Sequence, residues 1–170
     1  MNKKFWITGA NGQLGSELKA LTKSSSNFLF TDAETIDICN HTDVQLFLAQ
    51  HQIEGIINCA AYTAVDKAEE QQELSNAVNH LAVKNLAELA KQNNIALVHI
   101  STDYVFDGNG YCPYPTSYPI APVSVYGKTK ADGENAIVDS GANAVIIRTA
   151  WVYSTFGHNF VKTMLRLGQE

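Results

Sequence analysis

The sequence lacks a long hydrophobic run and an excess of basic residues. No apolar run in the 170 residues approaches the 18 that a membrane-spanning helix needs, so no transmembrane segment is expected. The apolar stretch near Met1 is too short for the core of a signal peptide. Lysine and arginine number 12 against 17 aspartates and glutamates, which gives a net charge of −5. Nucleic-acid binding is not expected, because the chain has no excess of basic residues to neutralise the phosphates of a nucleic acid.

Cysteine is also scarce. Cys39, Cys59 and Cys112 are odd in number, and their spacing matches no metal site. We therefore expect reduced thiols in a cytoplasmic protein, with no bound metal. Hydrophobic residues make up 45% of the chain and charged residues 17%, a balance that is typical of globular proteins and excludes disorder. The length suits one domain with a sizeable core.

Short apolar runs alternate with longer segments of helical period. Strands are predicted at 5–8, 28–30, 36–38, 53–59, 95–100 and 144–147. Helices are predicted at 12–23, 44–52, 68–93, 122–139 and 159–167, the fourth with Pro122 in its first turn. Leu21 in the first helix and Leu81 in the third are predicted to lie on the core-facing stripe. The alternation predicts a Rossmann-type, doubly wound α/β fold, a mostly parallel sheet with helices on both faces.

The turn after the first strand carries three glycines, Gly9, Gly12 and Gly15, at intervals of three residues. A dinucleotide diphosphate requires closely approaching backbone, outward N–H groups and the positive end of a helix dipole. Glycine permits that approach because it has no Cβ and adopts positive φ. With a strand before it and a helix after it, this turn predicts a dinucleotide site.

Acidic residues follow the second predicted strand. Asp32 comes where a carboxylate would accept hydrogen bonds from an adenosine ribose, and its charge favours NAD over a cofactor with a 2′-phosphate. Asp37 comes where a carboxylate could accept a hydrogen bond from the adenine amino group. A plain loop aspartate is the alternative interpretation for Asp32.

A candidate catalytic set lies later in the chain. Tyr126 and Lys130 are four residues apart and share one helix face, where an ammonium would lower the pKa of the phenol. Thr102 follows a predicted strand at its carboxyl end, where ligands bind in open α/β sheets. A hydroxyl there can hydrogen-bond a substrate carbonyl and share its proton with Tyr126.

Five linked motifs run through the chain in order. They are 12–15 (GQLG), 58–69 (NCAAYTAVDKAE), 101–108 (STDYVFDG), 126–134 (YGKTKADGE), and 148–153 (RTAWVY) followed by Asn159 and Phe160. Together they resemble those of the dTDP-4-dehydrorhamnose reductase family, in the extended short-chain dehydrogenase/reductase superfamily. Cys59 stands where that family commonly has alanine.

The resemblance implies reduction of the C4 ketone of dTDP-4-dehydro-6-deoxy-L-mannose to dTDP-L-rhamnose, a precursor of cell-surface polysaccharide. It implies NADPH or NADH as cofactor and a dTDP-sugar as the bound substrate, and it is compatible with a homodimer. The catalytic residues that it implies are Thr102, Tyr126 and Lys130. The residues that it implies at the cofactor are Gly9, Gly12, Gln13, Leu14, Gly15, Asp32, Asp37, Ile38, Ala60, Ala61, Thr63, Tyr126 and Lys130. The residues that it implies at the sugar are Val65, Tyr104, Phe106 and Trp151.

Reductases of this kind are longer than 170 residues. We therefore expect residues 1–170 to be the NAD(P)-binding domain at the N-terminal side of a longer reductase, without its C-terminal substrate lobe. Another nucleotide-sugar 4-epimerase or reductase, and a non-catalytic regulatory subunit, are the alternative functions. Tyr104 stands where a dehydratase of the superfamily carries glutamate, which disfavours dehydration. The intact set of Thr102, Tyr126 and Lys130 disfavours a purely regulatory role.

Overall fold

The computed structural model describes residues 3–169, which form a five-stranded parallel sheet with packed helices. The strands are β1 (Lys4–Thr8), β2 (Phe28–Phe30), β3 (Ile53–Asn58), β4 (Ala96–Thr102) and β5 (Ala144–Thr149). Their order in the sheet is β2-β1-β3-β4-β5, and every neighbouring pair is parallel. The predicted doubly wound α/β fold is confirmed.

Helices fill the connections between the strands. They are α1 (Gln13–Leu21), α2 (His41–Gln50), α3 (Val65–Ala68), α4 (Gln72–Asn76), α5 (Ala82–Gln92), α6 (Val125–Ser140) and α7 (Phe160–Leu167). A π-helical segment (Ala77–Leu81) joins α4 to α5, and a 3₁₀ turn (Asp103–Val105) follows β4.

The main core lies between the sheet and helices α2, α5 and α6. Trp6 of β1, Ile56 of β3 and Leu86 of α5 are fully buried in it. The one polar atom of the Trp6 side chain is satisfied, because its indole N–H donates to Thr31 Oγ1 at 2.8 Å. This packing and the hydrogen bonds between strands fix the strand register. The register in turn sets where the carboxyl end of each strand lies.

The order of the strands along the sheet reverses after β2, so that β1 and β3 are neighbours. From β1 the chain moves outward to β2 and then returns past β1 to β3. With right-handed crossovers, the two connecting helices α1 and α2 lie on opposite faces of the sheet. A crevice therefore opens at the carboxyl ends of β1 and β3, which is where ligands bind in folds of this kind.

The predicted strand at Ile36-Asp37-Ile38 is wrong. The backbone there is used in turns, since Thr35 and Ile36 donate to the carbonyl of Asp32. The Asp37 carboxylate also accepts from Cys39 N–H at 2.9 Å. Local side-chain and turn hydrogen bonds of this kind compete with strand pairing.

Three details of the predicted helices also differ. Leu21 is 78% exposed, because it lies in the last turn of α1 beyond the packed part of the helix. Leu81 is 47% exposed, because the π-helical segment inserts an extra residue and rotates the apolar stripe away from it. Helix α6 begins at Val125 with Ser124 as N-cap, so Pro122 lies in the preceding loop.

Candidate functional site

The glycine turn brings β1, α1 and the end of β3 into contact. Gly9 has φ +64°, and a Cβ there would lie 2.7 Å from the backbone nitrogen of Ala60. A Cβ on Gly15 would lie 2.2 Å from the carbonyl oxygen of Gly9. Both contacts are shorter than any side chain allows, so glycine is required at these two positions for the turn to pack.

The N-terminus of α1 is left open at this turn. Gly12 is its N-cap, and no side chain caps the helix. The first-turn amides are therefore available to a ligand, and the helix dipole favours an anion there. Among the described residues, a Cβ on Gly12 would meet only the Gly9 carbonyl oxygen, at 3.3 Å. The open space and the uncapped helix fit the diphosphate of a dinucleotide.

A cleft of about 320 Å³ lies beside the turn. Seven of the residues predicted at the cofactor line it: Gly9, Gly12, Asp32, Asp37, Ile38, Ala60 and Ala61. The Asp32 carboxylate accepts from Asn11 N–H at 3.1 Å, which ties the end of the second strand to the turn. Gln13 and Leu14 begin α1, and Thr63 is exposed outside this lining.

Asn79 holds one wall of this cleft and is not among the residues predicted from the sequence. Its Oδ1 accepts from Tyr62 N–H at 2.9 Å, and its Nδ2 donates to Tyr62 C=O at 3.0 Å. Asn79 is buried in the π-helical segment, a geometry that often occurs at functional sites. No local sequence signal marks it, because its partner is 17 residues away in a loop.

Thr102 and Tyr126 are brought together by two close contacts between elements. Thr102 ends β4, and its Oγ1 accepts from Tyr104 N–H at 3.2 Å. Gly127 lets α6 approach the 3₁₀ turn, since a Cβ there would lie 2.2 Å from the Tyr104 carbonyl oxygen. Tyr126, in the first turn of α6, is 8% exposed, and the Thr102 hydroxyl beside it donates to Asp103 Oδ1 at 3.1 Å.

The charge states in this region differ from the sequence-based expectation. Burial raises the pKa of Tyr126 above its ordinary value, although the neighbouring Thr102 hydroxyl opposes the shift. The predicted net lowering of the Tyr126 pKa is therefore wrong, because burial of the phenol dominates the shift. Burial lowers the pKa of Lys130 to about 8, against the opposing effect of Glu134. Tyr126 is thus a neutral phenol at neutral pH, able to donate a proton.

Lys130 lies in a pocket of backbone and histidine. Its Nζ donates to the Ile100 carbonyl oxygen at 2.7 Å and lies 3.3 Å from His99 Nε2. Burial and the charge of Lys130 lower the pKa of His99 to about 3, so the imidazole is neutral. His99 is not among the residues predicted from the sequence, and its polar side chain in an apolar strand is the one signal that could have identified it.

The four residues predicted at the sugar lie in different surroundings. Tyr104 is 47% exposed and meets Tyr126 edge-on, with ring centroids 5.5 Å apart, whereas Val65 begins α3 and is partly buried. Trp151 is 66% exposed and contacts Phe160, with ring centroids 5.1 Å apart. Phe106 is 6% exposed, and its ring stacks on another aromatic ring in a packed cluster rather than beside Tyr126.

A buried ion pair supports α6 from behind. The Glu134 side chain is 3% exposed and lies 2.6 Å from Arg148 Nη2. Glu134 Oε1 also accepts from Ser101 Oγ at 2.5 Å. These bonds join α6 to β4 and β5, and the hydrogen bond with Glu134 raises the pKa of Arg148. These contacts of Glu134 were not predicted from the sequence, because the partners are 14 and 33 residues away along the chain.

Within residues 3–169, no group of three histidine, cysteine, aspartate or glutamate side chains could hold a metal ion. All three cysteines are free, and burial raises the pKa of Cys59 to about 12, which makes it unreactive. No helix in this described part of the chain is both long and apolar enough to cross a membrane.

Comparison with known proteins gives consistent matches. A family model described as RmlD substrate binding domain matches residues 3–170. A protein of Aggregatibacter actinomycetemcomitans named dTDP-4-dehydrorhamnose reductase is 42% identical over 169 residues, 98% of this chain and 58% of that protein. A Streptomyces antibioticus protein named as a probable dTDP-4,6-dihydroxy-2-methyloxan-3-one 4-ketoreductase is 41% identical, over 95% of this chain and 56% of its own. The chain thus spans a little over half the length of these curated relatives.

Solved structures match in the same way. A dTDP-4-dehydrorhamnose reductase from Clostridium acetobutylicum has a TM-score of 0.93 and 45% identity, over 98% of this chain and 59% of that one. A dTDP-4-dehydrorhamnose reductase from Bacillus anthracis, solved in complex with NADP, has a TM-score of 0.94 and 39% identity, over 99% of this chain and 60% of that one.

Proposed function

The chain belongs to the RmlD substrate binding domain family, and from that premise we propose that it binds NAD(P)H and donates the proton in the reduction of dTDP-4-dehydrorhamnose to dTDP-L-rhamnose. The observation that carries the proposal is Tyr126, a protonated phenol that begins α6 beside Thr102, where β4 ends. This pair lies at the same edge of the sheet as the glycine turn. The names of the relatives and the NADP complex support the choice of substrate and cofactor.

The cofactor would be held by the crevice at the ends of β1 and β3. The first turn of α1 and the glycines before it would bind the diphosphate, through Gly9, Gly12, Gln13, Leu14 and Gly15. The cleft beside them would hold the adenosine and the adjoining part of the cofactor, through Asp32, Asp37, Ile38, Ala60, Ala61 and Thr63. The nicotinamide, when bound, supplies a hydride to the carbonyl carbon of the sugar.

Proton transfer falls to Tyr126. As the C4 carbonyl is reduced, its oxygen becomes an alkoxide, and the Tyr126 O–H gives that oxygen its proton and becomes a phenolate. Thr102 stabilises the developing charge through its hydroxyl. Lys130, one helical turn along α6, stabilises the phenolate with its own charge. Tyr104, Val65 and Trp151 are the residues proposed to contact the sugar, whereas Phe106 is buried in the packed aromatic cluster.

The proposal extends to where and in what form the protein works. We place it in the cytoplasm, which is supported by three free cysteines. A homodimer stays a prediction of the family resemblance.

The test is an assay of the full-length protein for oxidation of NADPH that depends on dTDP-4-dehydrorhamnose. The loss of NADPH is followed by its absorbance at 340 nm. Tyr126→Phe should lower kcat by roughly 10²–10⁴-fold, with a much smaller change in KM, because only the general acid is removed. Tyr111→Phe is the matched control, since Tyr111 is 99% exposed and its hydroxyl serves no proposed step. A Tyr126→Phe variant with near-normal turnover would show that the proton comes from another group.

A further inference from the structure

A row of buried polar side chains runs across three strands beneath the proposed site. Lys130 Nζ lies 3.3 Å from His99 Nε2, and His99 Nδ1 lies 3.0 Å from Asn58 Nδ2. Asn58 Oδ1 accepts from the Thr8 hydroxyl at 2.6 Å. Each of the four side chains belongs to a residue that is at most 1% exposed. We call these residues the polar row.

The backbone fixes this row in place. Thr8 pairs with Asn58 in the register of β1 and β3, and Asn58 pairs with His99 in the register of β3 and β4. The three side chains therefore stand side by side at one level of the sheet. Thr8 Oγ1 also accepts from Ala60 N–H at 3.3 Å, so the row ends at the wall of the dinucleotide cleft. Burying polar groups in this way is costly unless each is hydrogen-bonded.

The donor and acceptor in each hydrogen bond of the polar row depend on those in the next bond, because the side chains share protons along the row. A neutral imidazole has one donor and one acceptor nitrogen, and an ammonium group can only donate. When Lys130 is protonated it donates to His99 Nε2, which places the ring proton on Nδ1. Nδ1–H then needs an acceptor, which Asn58 provides once its amide turns over and presents Oδ1. The Asn58 NH₂ group then donates to Thr8 Oγ1.

When Lys130 is neutral, every one of these bonds runs the other way. The Nζ lone pair accepts from His99 Nε2–H, while an N–H of the amine still donates to the Ile100 carbonyl. His99 Nδ1 accepts from the Asn58 NH₂ group, and Asn58 Oδ1 accepts from Thr8. This second direction is the one in which the Asn58 amide is placed in the structure.

We propose that His99 and Asn58 are positioning residues for Lys130, and that the polar row reverses its hydrogen bonds whenever Lys130 gains or loses its proton. The imidazole stays neutral and only exchanges one tautomer for the other. Lys130 therefore keeps its place against Ile100 in both charge states. The part that this plays in proton donation by Tyr126 rests on the proposed function, whereas the reversal itself does not.

The titration of Lys130 can be distinguished by its pH range from that of the ionisable groups around it. On α6, Tyr126 lies one turn before Lys130 and Glu134 one turn after it. Glu134 is engaged by Arg148 of β5 and by Ser101 of β4, and Asp103 of the 3₁₀ turn raises the pKa of Tyr126. The pKa of Lys130 is lowered to about 8 and that of Tyr126 is raised from 10, so a change centred near pH 8 reports the lysine.

The test is the ¹⁵N NMR spectrum of the imidazole rings, recorded from pH 6 to 10 on the ligand-free protein. His99 is assigned among the five histidines by the peak lost in His99→Gln. We expect a neutral ring throughout, with its proton on Nδ1 below about pH 8 and on Nε2 above it. His80, which bonds to Asn76 away from the row, serves as an internal reference.

Two variants make the outcome decisive. Lys130→Met removes the titrating group, so the His99 tautomer should no longer change with pH. Asn58→Asp presents only acceptors to Nδ1, so the proton should remain on Nδ1 up to pH 10. A wild-type His99 ring that keeps one tautomer while Lys130 titrates, or a tautomer change that survives in Lys130→Met, overturns the inference.

Activity then separates the two proposals. In the full-length protein, Asn58→Asp should move the Lys130-dependent limb of the kcat–pH profile upward by about one unit or more, because a nearby carboxylate favours the charged lysine. An unchanged profile with a locked tautomer overturns the positioning role in catalysis. A tautomer change in a protein that reduces no dTDP-sugar overturns the proposed function and leaves the reversal standing.

Discussion

Two glycines of the turn after β1 restrict side chains for different reasons. A Cβ on Gly12 faces open space apart from one contact of 3.3 Å, whereas a Cβ on Gly15 would overlap the Gly9 carbonyl oxygen at 2.2 Å. We therefore expect Gly12→Val to fold but to bind NADPH at least about tenfold more weakly, since the side chain fills the space proposed for the diphosphate. Calorimetric titration with NADPH measures this loss.

Gly15→Ala should behave in the opposite way. The methyl group must push α1 off the turn, which costs about 1–3 kcal/mol of unfolding free energy, the usual range for overpacking against a rigid neighbour. Urea denaturation measures this cost, and Gly12→Val is its control. Equal destabilisation by both substitutions would mean that the turn is less tightly packed than the structure indicates.

His99 makes the stability of the protein depend on pH. In the unfolded chain its ordinary pKa is 6.5, and in the fold its pKa is about 3. Between these values the unfolded chain holds one proton more, so stability falls as the pH falls from 6.5 towards 3. The slope is about 1.4 kcal/mol per pH unit from this group alone.

The contribution of His99 can be isolated by difference. The unfolding free energy of the wild type minus that of His99→Gln should shrink as the pH falls from 7.5 to 5. Urea titrations at pH 7.5, 6 and 5 provide the comparison. A difference that does not change over this range contradicts a neutral, buried His99.

At this scale the sequence revealed the chemistry of the site but not its surroundings. Tyr126 and Lys130 are recognisable because four residues of separation place them on one helix face. His99, Asn58 and Thr8 are not recognisable together, because they meet only through strand register across 41 and 50 residues of chain. The direction of the Tyr126 pKa shift could not be predicted from the sequence either, because it depends on how deeply the phenol is buried.

Helix α6 is fixed to the sheet by one charged contact that can be tested. Arg148→Met leaves the Glu134 carboxylate buried without its cation, and breaking such a pair typically costs about 3–5 kcal/mol. Adding Glu134→Gln to this variant should restore part of the stability, because no unpaired charge remains. Thermal and urea unfolding at pH 7 measure both changes.

The exposed ion pair of Lys3 and Glu54 serves as the control. Its side chains are 72% and 37% exposed, so Glu54→Gln should change stability by less than about 0.5 kcal/mol. If Arg148→Met costs no more than Glu54→Gln, the Glu134 contact does not hold α6 in place.

Whole elements were predictable where their pattern was long and regular. The strands around Ile56 and Ile146 are apolar on both sides of the sheet, and their assignments are confirmed. The alternating Ile36-Asp37-Ile38 resembles a half-buried strand, but Asp37 diverts the backbone into a turn. The π-helical segment at Ala77–Leu81 was unpredictable because helical period assumes a constant 3.6 residues per turn.

The molecule as a whole gathers its candidate site from distant parts of the chain. The glycine turn comes near residue 10, the Thr102 hydroxyl at the end of β4, and Tyr126 at the start of α6. Alternating strands and helices predicted this convergence, since the carboxyl ends of parallel strands share one edge. What the alternation could not predict is which surface stays exposed once the sheet has formed.

That exposed surface has two parts, the edge strand β5 and the segment 151–167, which contacts α1 through hydrogen bonds of Ser154 with Glu17 and of Asn159 with Gln13. β5 is an edge strand, and Val145 and Ile147 on it are 57% and 45% exposed. Most of the other large hydrophobic residues that are exposed lie between positions 151 and 167. An apolar edge strand offers unpaired backbone groups to a second strand. We therefore expect the polypeptide of residues 1–170 to self-associate as its concentration rises, which sedimentation velocity measures.

Two substitutions distinguish association through the edge strand β5 from non-specific hydrophobic association. Ile147→Lys places a charge on the edge strand and should shift the polypeptide towards the monomer, because charged edges resist strand pairing. Leu46→Lys is the matched control, since Leu46 is 53% exposed on α2, away from this edge. Equal effects of the two lysines would point to non-specific association. A wild-type polypeptide that sediments as a monomer at every concentration would show that this apolar surface does not attract a second copy.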